Sequence, residues 1–176
     1  MPEPKPQLQP AAELVTAAEL SDDAKSKLRP DATPSGFMRE LVSAGLLADA
    51  VKYLAQAIGP ARAIAWALAC LKELRAERFP ESAPALAAFD AWASDPSDAN
   101  RRAAAEVAGK GPERSLGLAI FFSGGSIAPP DVNPVPPPPH LAEKLAAGAI
   151  MLAVVGEQPE NAADRYRRCI EIALKK

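Results

Sequence analysis

PARAIAWALACLKELRAE, Pro60 to Glu77, is the stretch that decides the fold class. Its proline suits a first helical position, where the missing N–H has no partner to lose and φ is already helical. Ile64, Leu68, Leu71 and Leu74 follow at the three- and four-residue intervals of one helix face. Ala61, Ala65 and Ala67 are expected to widen that face, and Arg62, Lys72, Glu73 and Arg75 to keep the other side wet. Trp66 and Cys70, four apart, lie on an adjoining face, so the helix reads as buried over much of its circumference. No alternating run of strand length bounded by turns occurs, and no sheet is expected.

Upstream, TPSGFMRELVSAGLLADAVKYLAQAIG, Thr33 to Gly59, carries two more helices. Ser35 is expected to cap the first, whose apolar face is Phe37, Leu41 and Val42, and Gly45 to end it. Leu47, Val51, Leu54 and Ile58 make the stripe of the second. A short helix is expected over Ala11 to Leu20. Ser21 then caps another, with Asp22 and Asp23 in the first turn, that stops before Pro30. The first ten residues alternate proline with polar residues and read as a disordered tail, leaving 11–176 as a single α-helical domain.

Downstream, Pro80 to Gly111 reads as a helical hairpin. Ser82 would cap its first arm, which carries Leu86, Phe89 and Trp92; Asp95-Pro96 would open the second, and Gly109 and Gly111 end it. Glu113 to Gly125 suggests a helix stopped by a glycine pair, and Leu141 to Val155 an apolar helix in the core. Gln158-Pro159 opens the last helix, with Tyr166, Ile170, Ala173 and Leu174 inward and Arg165, Arg167, Arg168, Glu171, Lys175 and Lys176 outward. The expected fold is all-α: an irregular antiparallel bundle of about eight to ten short helices with a proline-rich crossing segment. No fixed repeat period is found.

Alanine dominates a composition that is 48% apolar but only 5% aromatic, which favours helices that approach closely. Twenty basic and twenty-two acidic residues are interspersed and give a net charge of −2, with no basic stripe for nucleic acid or anionic lipid. The longest apolar run, Leu145 to Gly156, falls well short of a bilayer, so no membrane insertion is expected. The N-terminus lacks the layout of a signal peptide. Cys70 and Cys169, both in helical segments, read as buried thiols of a reducing compartment, and the expected location is cytoplasmic.

Chemistry could reside only in FFSGGSIAPPDVNPVPPPPH, Phe121 to His140, which ends on the one histidine of the chain. A triad base could only be His140, and Ser123 or Ser126 would be the nucleophile. The FSGGSI context is not a nucleophile elbow and no strand precedes it, so the glycines read as a helix stop and the serines as partners of local backbone. One histidine and two distant cysteines offer no metal-ligand spacing, and phosphate-loop, dinucleotide and EF-hand patterns are missing; no cofactor is expected. Glu40, Asp49 and Asp90 read as wet helix faces.

The proline run holds two overlapping P-x-x-P steps, Pro134 to Pro137 and Pro136 to Pro139. Such a run adopts polyproline II without internal hydrogen bonds, advancing about 3.1 Å per residue. A ligand for an SH3-type groove usually carries a nearby cation, and the nearest here is Lys144. The preferred reading is an intramolecular strap, with Trp92, Phe121 and Phe122 packing under it. If the strap faces outward instead, those aromatics with Pro136, Pro137, Pro138, Pro139 and His140 form the candidate partner surface.

Three segments resemble an uncharacterised family of small bacterial domains. They are FMRELVSAGLLADAVKYLAQAIGPARAIAWALACL, FFSGGSIAPPDVNPVPPPPHLAEKLAAGAIMLA and PENAADRYRRCIEIAL, and the resemblance covers roughly Pro34 to Leu174. Ala65-Trp66 departs from the tryptophan pair often found there. Members are of unknown function, and some occur in type VI secretion gene neighbourhoods. The resemblance implies an accessory to secretion and supplies no catalytic residues to carry over. The expected function is therefore a non-enzymatic protein-binding accessory, an adaptor or chaperone, whose partner is another protein such as a secretion component or effector. The alternatives are an immunity protein, for which a net charge of −2 offers little acidic surface, or a small hydrolase using His140.

Overall fold

The computed structural model describes residues 10–78, 83–129, 131–156 and 158–175. The expected tail as far as residue 9, the Arg75 side chain, the Ser82 cap and Lys176 lie outside the described residues. Among those described, the backbone forms ten α-helices and no strand, so the fold is all-α. In order they are α1 Ala11–Ala18, α2 Asp22–Ser26, α3 Pro34–Ser43, α4 Leu47–Ile58 and α5 Pro60–Arg78. After these come α6 Ala83–Ser94, α7 Asp98–Glu106, α8 Gly111–Phe121, α9 Leu141–Val155 and α10 Ala162–Leu174, the last preceded by a 3₁₀ turn at Pro159–Asn161.

Helix α9 is the axis of the bundle and packs against α8, α5, α4 and α10. Its buried face is built on Ala142, Ala146, Ala147, Ala149 and Ala153, whose small side chains admit neighbouring backbones closely, with Ile150 and Val154 filling between them. Ile150 and Val154, both fully buried, each contribute about 1.5–3 kcal/mol relative to their exposed state. Helix α8 packs tightly on α7 and the residues after it at Gly117, where a Cβ would collide with the Ala108 methyl and lie 2.8 Å from the Ala104 carbonyl. One buried core joins Leu14 of α1 to Ile170 of α10.

On α5 the buried stripe is Ala63, Ile64, Ala67, Leu68, Leu71 and Leu74. Ala61 and Ala65 are exposed, contrary to expectation, because they fall on the arc of Arg62 and Lys72. Trp66 is buried and its indole N–H donates to the Cys169 carbonyl at 2.6 Å, which fastens α5 to α10. Cys70 and Cys169 are both buried, and the Cys70 thiol donates to the Cys169 carbonyl at 3.8 Å. Phe37 meets Tyr53 edge to face at 5.1 Å and holds α3 on α4.

Several local expectations are corrected. Thr33 caps α3 by accepting from Gly36 N at 3.1 Å, because Pro34 sets the first helical position and moves the cap one residue before itself. Ser97, not Asp95, caps α7, and Asp95 instead accepts from the Asn100 side chain. Gly111 opens α8 instead of ending α7. Asp49 is buried, not wet: its carboxylate takes the Ser21 N–H and hydroxyl, each at 2.8 Å, while the Ser21 oxygen caps α2. Arg165 is buried as well, donating to the Val154 and Gln158 carbonyls and so closing the end of α9. Leu174, expected inside, is 67% exposed.

Candidate functional site

Two helices deliver the segment between α8 and α9, and a third shapes it. Helix α8 stops at Phe121; Ser123 Oγ donates back to the Ile120 carbonyl at 2.7 Å, and Gly125 takes φ +66°, which frees the chain to turn. The chain then doubles back on itself. Ile127 N donates to the Val135 carbonyl at 2.9 Å, and Ser126 Oγ accepts from Ala128 N at 3.1 Å and Val135 N at 3.0 Å.

Helix α7 braces this loop with Arg101 and Arg102. Arg101 is only 4% exposed, and its guanidinium donates to the Ser126 carbonyl at 2.8 Å and to the Phe121 carbonyl. Arg102 donates to Ser126 O at 3.0 Å and Ala128 O at 2.8 Å. Asp98, one helical turn earlier, bonds both arginines and sets their forks, with Arg102 Nε at 2.7 Å and Arg101 Nε at 3.1 Å. Both guanidiniums also lie against the Phe121 ring, at 4.9 and 5.7 Å from its centroid. The hydrogen bond from Arg102, then that from Arg101, holds the Asp98 carboxyl below its ordinary range.

The far end is fastened to α4. His140 sits at φ +61°, before α9, where its carbonyl accepts from the amide nitrogen of buried Gln56 at 3.4 Å. With that nitrogen so engaged, Gln56 Oε1 faces the ring and Nδ1 donates to it at 3.1 Å. Among the described residues no hydrogen bond joins His140 to Ser123 or Ser126, whose hydroxyls serve local backbone. The nucleophile and base of a hydrolase are thus not brought together. Among those residues, too, no group of three or more His, Cys, Asp and Glu side chains could hold a metal ion.

Between these anchors the strap faces outward. Pro134, Pro136, Pro138, Pro139 and His140 are exposed, Val132 and Val135 are 55% and 45% exposed, and Pro137 alone of the proline run is half-buried. The three candidate aromatics do not form one platform. Phe121 and Phe122 meet edge to face at 5.2 Å, half-buried, and Phe121 serves the arginines. Trp92, also half-buried, lines a shallow cleft of about 340 Å³ with Pro60, Pro96, Arg101 and Gly124.

The sequence reading missed Asp98, Arg101, Arg102 and Gln56. A signal for the first three was present, since Asp98 precedes the arginines by three and four residues, the spacing of helical ion pairs. Nothing comparable marked Gln56.

An all-α domain that holds a proline strap out from its surface on a doubly anchored loop is thus defined. Residues 37–175 match the family of unknown function DUF6931, and the chain belongs to that family. No curated protein and no solved structure matches it. No helix among the described residues is long and apolar enough to cross a membrane.

Proposed function

We propose that this chain is a non-enzymatic protein-binding accessory, an adaptor or chaperone-like partner acting in the cytoplasm in bacterial type VI secretion. The observation that carries the binding role is the exposed strap from Asp131 to Pro139, anchored at one end by Arg101 and Arg102 and at the other by Gln56. Holding a segment in shape before binding lowers the ordering cost of association, which is what a recognition element needs and a mere linker does not. Exposed Val132 and Val135 beside the prolines add apolar contact area. The link to secretion rests on the resemblance to proteins in those gene neighbourhoods.

Affinity capture of the tagged full chain from its native host, with mass spectrometry, tests the role. The proposal expects a component of the secretion apparatus or one of its effectors, enriched over a tag-only control. Enrichment of a single toxin would replace the adaptor with an immunity protein. Absence of any enriched protein would contradict the binding role.

A further inference from the structure

The strap's own geometry restricts what can read it. Proline fixes φ, and a residue before proline is driven to extended backbone, so Asn133 to Pro138 have little choice but polyproline II. That helix has three residues per turn, so residues three apart share an edge. Pro134 and Pro137 share one edge, and it meets the protein at Pro137, the half-buried proline of the run; Pro134 is exposed, and the polyproline register ends before His140, whose φ is +61°. The other two edges, Val135 with Pro138 and Pro136 with Pro139, point to solvent. Of the two P-x-x-P steps, the body of the protein obstructs Pro134 to Pro137 and leaves Pro136 to Pro139 free.

We infer that Val135-Pro136 and Pro138-Pro139 are two adjacent docking units for an aromatic-lined groove of the polyproline-reading kind, with Pro137 as the spacer turned away from the partner. This rests on the protein-binding reading above and names its partner's chemistry. Aromatic grooves hold such ligands by packing rings against the prolines and by donating indole or phenol hydrogens to the exposed carbonyls. Among the described residues no hydrogen bond is made to the carbonyls of Pro136, Pro137, Pro138 or Pro139, so they are open to such donors. The strap itself carries no lysine or arginine: Arg101 and Arg102 at its base are paired with Asp98, Lys144 is bonded to Glu19 at 2.5 Å and His140 to Gln56, while Asp131 within it is exposed. The groove that fits is therefore aromatic without an acidic specificity pocket, and a basic residue at its rim would meet Asp131.

Two isolated domains serve as probes: a WW domain, with an aromatic groove and no acidic pocket, and an SH3 domain with one. Each, ¹⁵N-labelled, is titrated with the full chain and followed by NMR. Saturable shifts confined to the WW groove are expected, with the SH3 domain at least about tenfold weaker. Pro136→Ala/Pro139→Ala should weaken WW binding at least about tenfold, and Pro137→Ala by less than about threefold. Circular dichroism checks the fold of each variant. If the double variant loses helicity, Val135→Lys, at an exposed side chain, is held to the same tenfold loss. No saturable shift on the WW domain, equal binding by the SH3 domain, or a Pro137→Ala loss as large as that of the outward pair would each overturn the inference. Failure of the broader binding role shows separately, as an empty capture from the native host.

Discussion

Arg101 is the residue on which the strap's shape most depends. Its buried guanidinium serves two carbonyls and a carboxylate, so Arg101→Ala leaves Phe121 O without that donor and takes one of two from Ser126 O. The expected loss is about 1–3 kcal/mol in urea denaturation. Arg101→Lys keeps the charge but not the planar fork, and should recover only part of the loss. Asp98 sets a pH dependence. Its folded carboxyl titrates below the ordinary value of 3.8, so the stability it contributes is fully present above that value and is lost as pH falls through the lower folded one. Asp98→Asn should remove this acid-side slope from a pH series of urea midpoints. Tyr53 acts at the other extreme. Among the described residues its buried hydroxyl has no hydrogen-bond partner, and burial pushes its pKa from 10.0 up to about 12. Unfolded tyrosine ionises first, so stability falls as pH rises between those two values. Tyr53→Phe removes that buried hydroxyl, and should be neutral or gain about 1 kcal/mol while flattening that alkaline slope.

Among the elements, α9 shows what sequence can and cannot reveal. Its bounds, Leu141 to Val155, were legible because prolines precede it, a glycine follows it, and an apolar run from Leu145 fills most of what lies between. The close approach of α7 to α8 at Gly117 was not legible, since a glycine inside a helix looks the same whether its missing Cβ matters or not. Alanine has the better helix propensity by about 1 kcal/mol, yet Gly117→Ala should destabilise by about 1–3 kcal/mol because of overpacking. A gain in thermal midpoint on that substitution would show that α7 and α8 can move apart. The brace from α7 was hidden for a different reason. Arg101 and Arg102 act on carbonyls twenty or more residues away in sequence, and a carbonyl is the same in every residue. Arg165 was misread as wet for that reason too, since its partners include the Val154 and Gln158 carbonyls. Period placed most of the large apolar side chains, such as Ile64, Leu71 and Ile170, but not Leu174 or the alanines Ala61 and Ala65, and it said nothing of side chains whose partners are backbone.

For the whole molecule, the prolines were the most conspicuous feature of the sequence, but their direction was set by the tertiary structure. An intramolecular strap packed over Trp92, Phe121 and Phe122 was the expectation. Instead, most of the strap faces solvent, Phe121 supports the arginines, and Trp92 lines a cleft beside Arg101 and Gly124 that none of the strap prolines enters. The bundle thus works as a frame: α4 and α7, both earlier in the chain than the loop, hold its two ends while α9 anchors the core behind it. The central claim is that this frame holds the strap in one shape. Hydrogen exchange at the amides of Ile127 and Val135, resolved by NMR, tests it most directly, since both are hydrogen-bonded within an exposed loop. The account predicts exchange at least about tenfold slower than in the unfolded chain, and a loss of that protection in Arg101→Ala. Exchange at the unfolded rate in the unsubstituted protein would contradict it.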